Sequence, residues 1–238
     1  HGVRPLVPAS AFVIILFFGT RMPRRGAELG IAAMAVGLFL SCWLSVEWIT
    51  GPRVAHVSQH VWFTYGDVDV YAGTIVDGLS VMMLVVVALV SLLVQVYSSE
   101  YMRNDRRYTH FFAILTFFTA AMQWFVMSAN TLQMVFGWEV MSLCSFLLIG
   151  HWWEEKRNVH AAMKAFLTTR ASDLGLFVGV AVLFFAAGKT FDVTILDSLA
   201  MQGAVAHGML LAGAVALLLA VIGACEQFLV RPEREQQA

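Results

Sequence analysis

Long apolar runs with almost no charge limit what this chain folds into more than any other feature. They fall at 8–20, 27–49, 75–98, 109–128, 131–150, 161–187 and 204–230. A helix needs about 20 residues to cross about 30 Å of hydrocarbon, because each residue adds about 1.5 Å. Only 13% of the 238 residues are charged and 59% are hydrophobic, whereas globular domains carry about 25% charged residues. The sequence therefore predicts an all-α integral membrane protein of about seven transmembrane helices.

The connections between these runs differ in kind. The break at 128–130 is short, but the two runs beside it together hold about 40 residues, which is too long for one crossing. A tight hairpin is predicted there. Residues 51–74 contain several Gly and Pro residues and the strand-like segment Val61–Tyr65, a pattern typical of an extramembrane loop with a small β element. The first run follows Pro5 and Pro8 without a small-residue cleavage site, so we interpret it as a clipped first span rather than a signal peptide.

Basic residues gather at alternate ends of the predicted spans. Ten lie after the odd-numbered runs: Arg21, Arg24, Arg25, Arg103, Arg106, Arg107, Lys156, Arg157, Arg231 and Arg234. Three lie at the opposite ends, namely Arg4, Arg53 and Lys189. Because Lys and Arg collect in cytoplasmic loops, the count predicts an N-terminus outside and a C-terminus in the cytoplasm. The expected location is a bacterial inner membrane.

Glu139 lies near the middle of the fifth run. A carboxylate at that depth costs several kcal/mol unless it is paired, hydrated or protonated. Burial favours its neutral form and a nearby cation favours its charged form, so a movable partner would make Glu139 a proton donor and acceptor. The structural alternative is a Glu that is hydrogen-bonded permanently between helices. We favour the proton-transfer role, because acids in the middle of a membrane rarely serve packing alone.

The sixth run carries Lys164, Arg170 and Asp173. Arg170 and Asp173 are three residues apart and share one helix face, so they can pair. As a buried pair they fit a static clip and a proton relay equally well. Lys164 lies near the predicted cytoplasmic end, where it can extend to the surface or reach inward. For Asp77, at the start of the third run, capping of the helix is the favoured role.

Several functional classes find no support in the sequence. The net charge of −1 does not favour nucleic-acid binding. Cys42, Cys144 and Cys225 stand singly in apolar surroundings, without metal-ligand spacing. The seven His residues lie mostly in loops or at helix ends, where solvated or interfacial positions are expected. We find no haem, flavin, iron–sulfur, dinucleotide or phosphate-binding motif, so no cofactor is expected in this chain and any energy must come from partners or an ion gradient.

Five segments together resemble the antiporter-like subunit L family of proton-pumping NADH-quinone oxidoreductase, respiratory complex I. They are Val76–Ser80, Tyr101–Met102, Phe111–Ala113, Gly137–Gly150 and Ala161–Asp173. The resemblance also extends to Mrp-type cation/proton antiporters and to membrane partners of inorganic-carbon uptake complexes. We divide the chain into three parts. Residues 1–74 hold two transmembrane helices and an extramembrane loop, residues 75–230 a five-helix antiporter-like channel half, and residues 231–238 a polar tail.

The resemblance implies a proton relay of Glu139, Lys164, Arg170 and Asp173, with other membrane subunits of the complex as partners. NADH, flavin, iron–sulfur clusters and quinone would belong to those partners, so this chain would be part of a translocase without a redox centre of its own. The family also places a Lys on the seventh helix. Here that position falls near Gln227, beside Glu226. Gln carries no charge that would favour ionised Glu139.

Three functions therefore stay open from the sequence. The preferred one is a membrane subunit of a proton-translocating NADH-quinone oxidoreductase. The second is a non-pumping or truncated antiporter-like scaffold, which the missing Lys favours. The third is a cation/proton antiporter or inorganic-carbon-uptake subunit, which would use the same helices with different partners.

Overall fold

The computed structural model describes residues 5–22, 26–65 and 68–225. Gln227, Glu226 and the predicted polar tail lie outside the described residues. Within them the elements follow one another as a run of helices interrupted by one hairpin. They are α1 (Leu6–Phe18), α2 (Ala27–Thr50), β1 (His56–Tyr65), β2 (Val68–Val76), α3 (Gly78–Tyr101), α4 (Tyr108–Val126), α5 (Thr131–Ile149), α6 (Lys156–Ala186), α7 (Val193–Met201) and α8 (His207–Cys225).

All seven apolar runs form helices, and six of these helices are long and apolar enough to cross a membrane. Many of their outward-facing residues are large and apolar, such as Leu93 and Leu174, which are 60% and 66% exposed. This surface fits a lipid environment, and the chain is an integral membrane protein. The first run gives α1, whose 13 residues fall short of the about 20 that a perpendicular crossing needs.

Two helical features differ from the prediction. Helix α6 begins at Lys156 rather than near residue 161 and has 31 residues. It therefore includes the polar stretch that precedes the apolar run. Helix α7 has only nine residues and lies in a connection that the hydropathy pattern gave no reason to call helical. Its N-terminus is set by Asp192, whose side chain accepts hydrogen bonds from the backbone N–H groups of Thr194 and Ile195.

The loop after α2 contains the predicted β element as an antiparallel hairpin. Strand β1 pairs with β2 from His56 opposite Val76 to Tyr65 opposite Val68, with a bulge between Val61 and Phe63. Asp77 then caps α3 by accepting a hydrogen bond of 2.8 Å from the backbone N–H of Ser80. The capping role preferred for Asp77 is the one that the structure shows.

The predicted tight hairpin between α4 and α5 occupies residues 127–130. Its backbone joins β2 on one side, where Ile75 N donates to Met127 O, and the segment before α7 on the other, where Thr131 N donates to Phe191 O. The side chain of Asn130 donates to Tyr71 O at 2.7 Å and caps α5 through Leu132 N. One end of the bundle is therefore fixed by backbone and amide hydrogen bonds.

Helix packing places α2 on α3, α4 between α1 and α5, and α6 between α5 and α8. The pair α6 and α8 approaches closely through glycines. A Cβ atom on Gly175 would lie 2.9 Å from Ala216 O, and one on Gly213 would lie 2.8 Å from the Leu183 side chain. Small residues at such contacts are typical of membrane helices, which associate by close packing rather than by hydrophobic burial. This packing holds α6 beside α5, where the charged residues face each other.

Candidate functional site: a charged cluster between α5 and α6

Glu139 and Arg170 form an ion pair between the middle of α5 and the middle of α6. Arg170 Nη1 lies against Glu139 Oε2, and the same nitrogen lies 3.3 Å from Asp173 Oδ2. One guanidinium therefore contacts two carboxylates from two helices. The Asp173 side chain is 3% exposed, whereas those of Glu139 and Arg170 are 24% and 32% exposed. The cluster is closed on the Asp173 side and more open at the Glu139–Arg170 pair.

Two aromatic residues hold this cluster in place. The indole N–H of Trp138 donates to Asp173 Oδ1 at 2.8 Å, and the guanidinium carbon of Arg170 lies 4.6 Å from the centre of the Phe166 ring. The α-helical period explains this placement. Phe166 is four residues before Arg170, and Asp173 three residues after it, so all three lie on one face of α6.

Three polar atoms of the cluster are buried without a hydrogen-bond partner. They are Glu139 Oε1, Arg170 Nε and Asp173 Oδ2. Such atoms are costly in an apolar interior. The charge balance is also incomplete, because two carboxyl groups surround one guanidinium, which can neutralise only one of them when both are ionised. A bound proton is the smallest ligand that would remove that excess charge.

The structure brings together three of the four predicted relay residues. Glu139, Arg170 and Asp173 are in contact, whereas Lys164 is exposed on α6 and forms no ion pair with any acid of the described residues. Its backbone oxygen accepts a hydrogen bond from Thr168. Because α6 begins at Lys156, Lys164 lies more than two turns inside this helix. That is deeper than the first turn in which the apolar pattern placed it.

A second buried polar group, which the sequence analysis missed, lies between α3 and α4. Gln95 Nε2 donates to Thr116 Oγ1 at 3.0 Å, and both residues are 0% exposed. Helix α2 faces them with Gly30, since a Cβ atom there would lie 2.6 Å from Gln95 Oε1. A Gln inside an otherwise apolar run was the available sequence signal. This pair is neutral, so hydropathy gave it little weight.

Histidine placement also differs from the expectation of solvated or interfacial positions. His151 lies at a helix end as predicted, but it is only 2% exposed. Its Nε2 atom lies 3.2 Å from Asp105 Oδ1. Within the described residues, no three His, Cys, Asp or Glu side chains are arranged to hold a metal ion.

A bundle of apolar helices with an acid and a base paired between two of them defines a class of membrane subunits that hold charged groups inside the bundle. Two family models match the chain. One, the transmembrane region of NADH:quinone oxidoreductases and Mrp antiporters, matches residues 128–231, and the other, the N-terminus of complex I chain 5, matches residues 62–112. These segments cover more than half of the sequence. The chain belongs to the antiporter-like membrane subunit family of complex I and Mrp antiporters.

Curated relatives agree with this assignment. F(420)H(2) dehydrogenase subunit L of Methanosarcina mazei is 40% identical over 179 residues, which are 75% of this chain and 26% of the relative. NADH-quinone oxidoreductase subunit L of Neisseria meningitidis serogroup B is 36% identical over 181 residues, which are 75% of this chain and 27% of the relative. The matched region is thus about a quarter of the length of these relatives.

Solved structures share the fold. The membrane-bound sulfane sulfur reductase, an archaeal respiratory membrane complex, contains a chain that superposes with a TM-score of 0.76 at 11% identity. That alignment covers 92% of this chain and 43% of the other. The Mrp complex from Dietzia sp. gives a TM-score of 0.69 at 22% identity, over 94% of this chain and 23% of the other.

Proposed function

We propose that this chain is a membrane subunit of a proton-translocating NADH-quinone oxidoreductase and that Glu139 carries a proton in it. The observation that supports the proposal most is that Glu139 and Asp173 share the single guanidinium of Arg170. The relatives named as subunit L of NADH-quinone oxidoreductase and of F(420)H(2) dehydrogenase support the choice of complex. Redox cofactors and quinone then belong to partner subunits.

Proton occupancy of Glu139 decides which acid Arg170 pairs with. When Glu139 is ionised, Arg170 is shared between two acids and the cluster carries one excess negative charge. When Glu139 takes up a proton, its attraction for Arg170 falls, and the guanidinium pairs with Asp173 alone. The cluster is then neutral. Loss of the proton restores the shared arrangement, so one proton enters and leaves while Arg170 exchanges between two carboxylates that its Nη1 atom already contacts.

Lys164 completes the proposed path at the end of α6 that lies toward the basic loops. We place these loops in the cytoplasm of a bacterial cell and the N-terminus outside, because Lys and Arg are concentrated there. A four-carbon side chain lets Lys164 exchange protons with the surface and lean toward α5. Its role is that of an entrance group, separate from the Glu139 cluster.

Replacement of Glu139 by Gln tests the proposal in the assembled complex. The amide keeps the shape but cannot take up a proton, so we expect NADH-driven proton movement into membrane vesicles to fall by about 10²-fold to 10⁴-fold, the range typical of lost acid–base groups. Glu155→Gln, at an exposed acid before α6, is the matched control and should retain transport. Normal transport by E139Q, with the protein inserted in normal amount, would contradict the proposal. A change confined to assembly would favour the scaffold function.

A further inference from the structure

A second titratable cluster lies away from Glu139, where the α3–α4 loop meets the α5–α6 loop. It contains Asp105 from the first loop, His110 from the first turn of α4, and His151 from the second loop. The His110 and His151 rings are stacked with centres 6.4 Å apart. On the His151 side, Phe111 packs against the ring edge-on with centres 5.4 Å apart. The His151 imidazole is therefore enclosed by its neighbours, whereas His110 is half-buried beside it.

Asp105 is held in its ionised form by three donors. Its Oδ1 accepts from the backbone N–H of Arg107 at 2.7 Å and lies 3.2 Å from His151 Nε2, while its Oδ2 accepts from the Trp152 indole at 2.7 Å. Burial works in the opposite direction, but these hydrogen bonds outweigh it and the pKa of Asp105 lies below its ordinary value. A permanent negative charge thus faces the edge of the His151 ring.

The geometry around His151 leaves one nitrogen without a partner. Because ionised Asp105 only accepts, His151 Nε2 must carry the hydrogen. The other ring nitrogen, Nδ1, is then an acceptor in the neutral ring, and it is buried with no hydrogen-bond donor nearby. Nδ1 of His110 is buried and unpartnered as well. Either nitrogen can accept a proton, and an imidazolium at His151 would face the carboxylate of Asp105.

Charges around the two rings limit uptake to a single proton. Asp105 favours an imidazolium at His151, which it contacts, whereas burial, an imidazolium at His151 and the guanidinium of Arg107 all oppose protonation of His110. Arg107 is itself engaged, since it pairs with Glu154 and lies 3.6 Å above the Trp153 ring. Outside this group, Arg106 faces Glu154 from the surface. A second proton would set two imidazolium rings against each other and against Arg107, which is strongly unfavourable.

We propose that His110 and His151, together with Asp105, form a proton-binding site at the loop end of the bundle that takes up one proton shared between two coupled imidazoles. The site is separate from the Glu139 cluster, because Glu139 precedes His151 by 12 residues, about 18 Å along a helix. The proposed proton uptake at this site does not depend on whether the chain transports protons. Its role as a reservoir that supplies the path along α5 and α6 rests on the proposed function.

Nitrogen NMR on the full 238-residue chain, labelled at histidine and tryptophan and held in lipid nanodiscs, measures this uptake directly, since ring nitrogen shifts report protonation and tautomer. We expect the His110 and His151 signals to change over the same pH range, each responding to the other's titration. The Trp152 indole N–H signal should follow them, because it shares Asp105 with His151. This measurement uses the unchanged chain, so it remains valid if a substituted chain fails to fold.

Substitutions then separate the coupled pair from its alternatives. In His110→Gln or His151→Gln, the remaining ring should follow a simple one-proton curve with its midpoint moved by about one pH unit. Asp105→Asn should shift uptake to lower pH, and Asp105→Glu should restore it. His160→Gln, at an exposed histidine of α6, should leave both signals unchanged.

Independent titration of the two rings, or identical curves in the unchanged chain and Asp105→Asn, would overturn the site and leave a histidine that only packs. The transport result for Glu139→Gln is unaffected by either outcome. Failure of this proposal and failure of the proposed function are therefore distinguishable, since one is measured as proton binding in the isolated chain and the other as transport in the whole complex.

Discussion

Polar side chains are accommodated in two different ways by the charged cluster between α5 and α6 and by the neutral pair between α3 and α4. Both place polar atoms inside an apolar bundle. Gln95 and Thr116 are neutral, fully enclosed and joined by one hydrogen bond. Glu139, Arg170 and Asp173 are charged, and the first two remain about a quarter to a third exposed. The neutral pair is closed, whereas the Glu139 and Arg170 side chains of the charged cluster are partly exposed, although Oε1 of Glu139 is itself buried.

This difference separates a structural polar contact from a candidate transport site. A neutral amide in hydrocarbon needs only a hydrogen-bond partner, and interhelical bonds of this kind contribute about 0.6 kcal/mol on average. Charged groups in hydrocarbon must also be neutralised. Where acids outnumber bases, a mobile ion such as a proton can supply the missing positive charge. The second carboxyl group of the charged cluster is the reason why this cluster, and not the Gln95 amide, is the candidate for proton transfer.

The largest expected effect comes from removing the shared cation. Arg170→Met keeps an unbranched apolar stem but leaves Glu139 and Asp173 facing each other without a base. Breaking a buried ion pair on one side costs about 3–5 kcal/mol, and partial exposure of Arg170 places the expected loss at about 3 kcal/mol. Reversible unfolding of the chain in detergent, followed by circular dichroism, measures the loss.

Arg157→Met is the matched control for this measurement. Arg157 is exposed on the first turn of the same helix, so its replacement should change the free energy of unfolding by less than about 0.5 kcal/mol. Equal effects of the two substitutions would remove the distinction between the charged cluster and an ordinary surface position.

Much of the fold follows from the sequence because the hydropathy of a segment indicates whether it lies in lipid or in water. In a bilayer each helix satisfies its own backbone, so the apolar runs alone locate the membrane helices, and the Gly-rich segment between α2 and α3 locates the hairpin. Helix α7 has only nine residues, and its start depends on the Asp192 cap. A local cap of this type leaves no periodic pattern, which is why the helix was not predicted.

The candidate site was predictable where its residues are close in sequence. Arg170 and Asp173 are one turn apart, so the helical period places them together. Their contact with Glu139 depends on how α6 packs on α5, and the donation from Trp138 to Asp173 depends on a rotamer. The sequence contains neither distance. The burial of His151 likewise results from loops meeting in space, whereas helix-end position alone indicated solvent.

A smaller effect should come from the neutral pair. Thr116→Val keeps the shape of the side chain and removes the oxygen to which Gln95 donates, so an amide is left unpaired between α3 and α4. We expect a loss of about 1 kcal/mol in the same unfolding measurement, and no change in proton transport. Thr168→Val, on the exposed side of α6 where the hydroxyl bonds only its own helix, serves as the reference. Lost transport in T116V would place this pair in the proton path and end the contrast with the charged cluster.

The smallest effect is expected outside the membrane, where water competes for the same chemistry. Hydrogen bonds hold the pKa of Asp105 below its ordinary value against the effect of burial. A carboxyl group whose folded pKa is lowered adds stability above its unfolded pKa, about 3.9, and loses it as the pH falls through the folded value. Unfolding measured from pH 7 to pH 3 should therefore show a decline below about pH 4 that is weaker in Asp105→Asn. Asp197→Asn, at an exposed acid of α7, should retain the decline. If D105N instead showed the full decline, the acid sensitivity would belong to other carboxyl groups, and Asp105 would have the same protonation energetics when folded and unfolded.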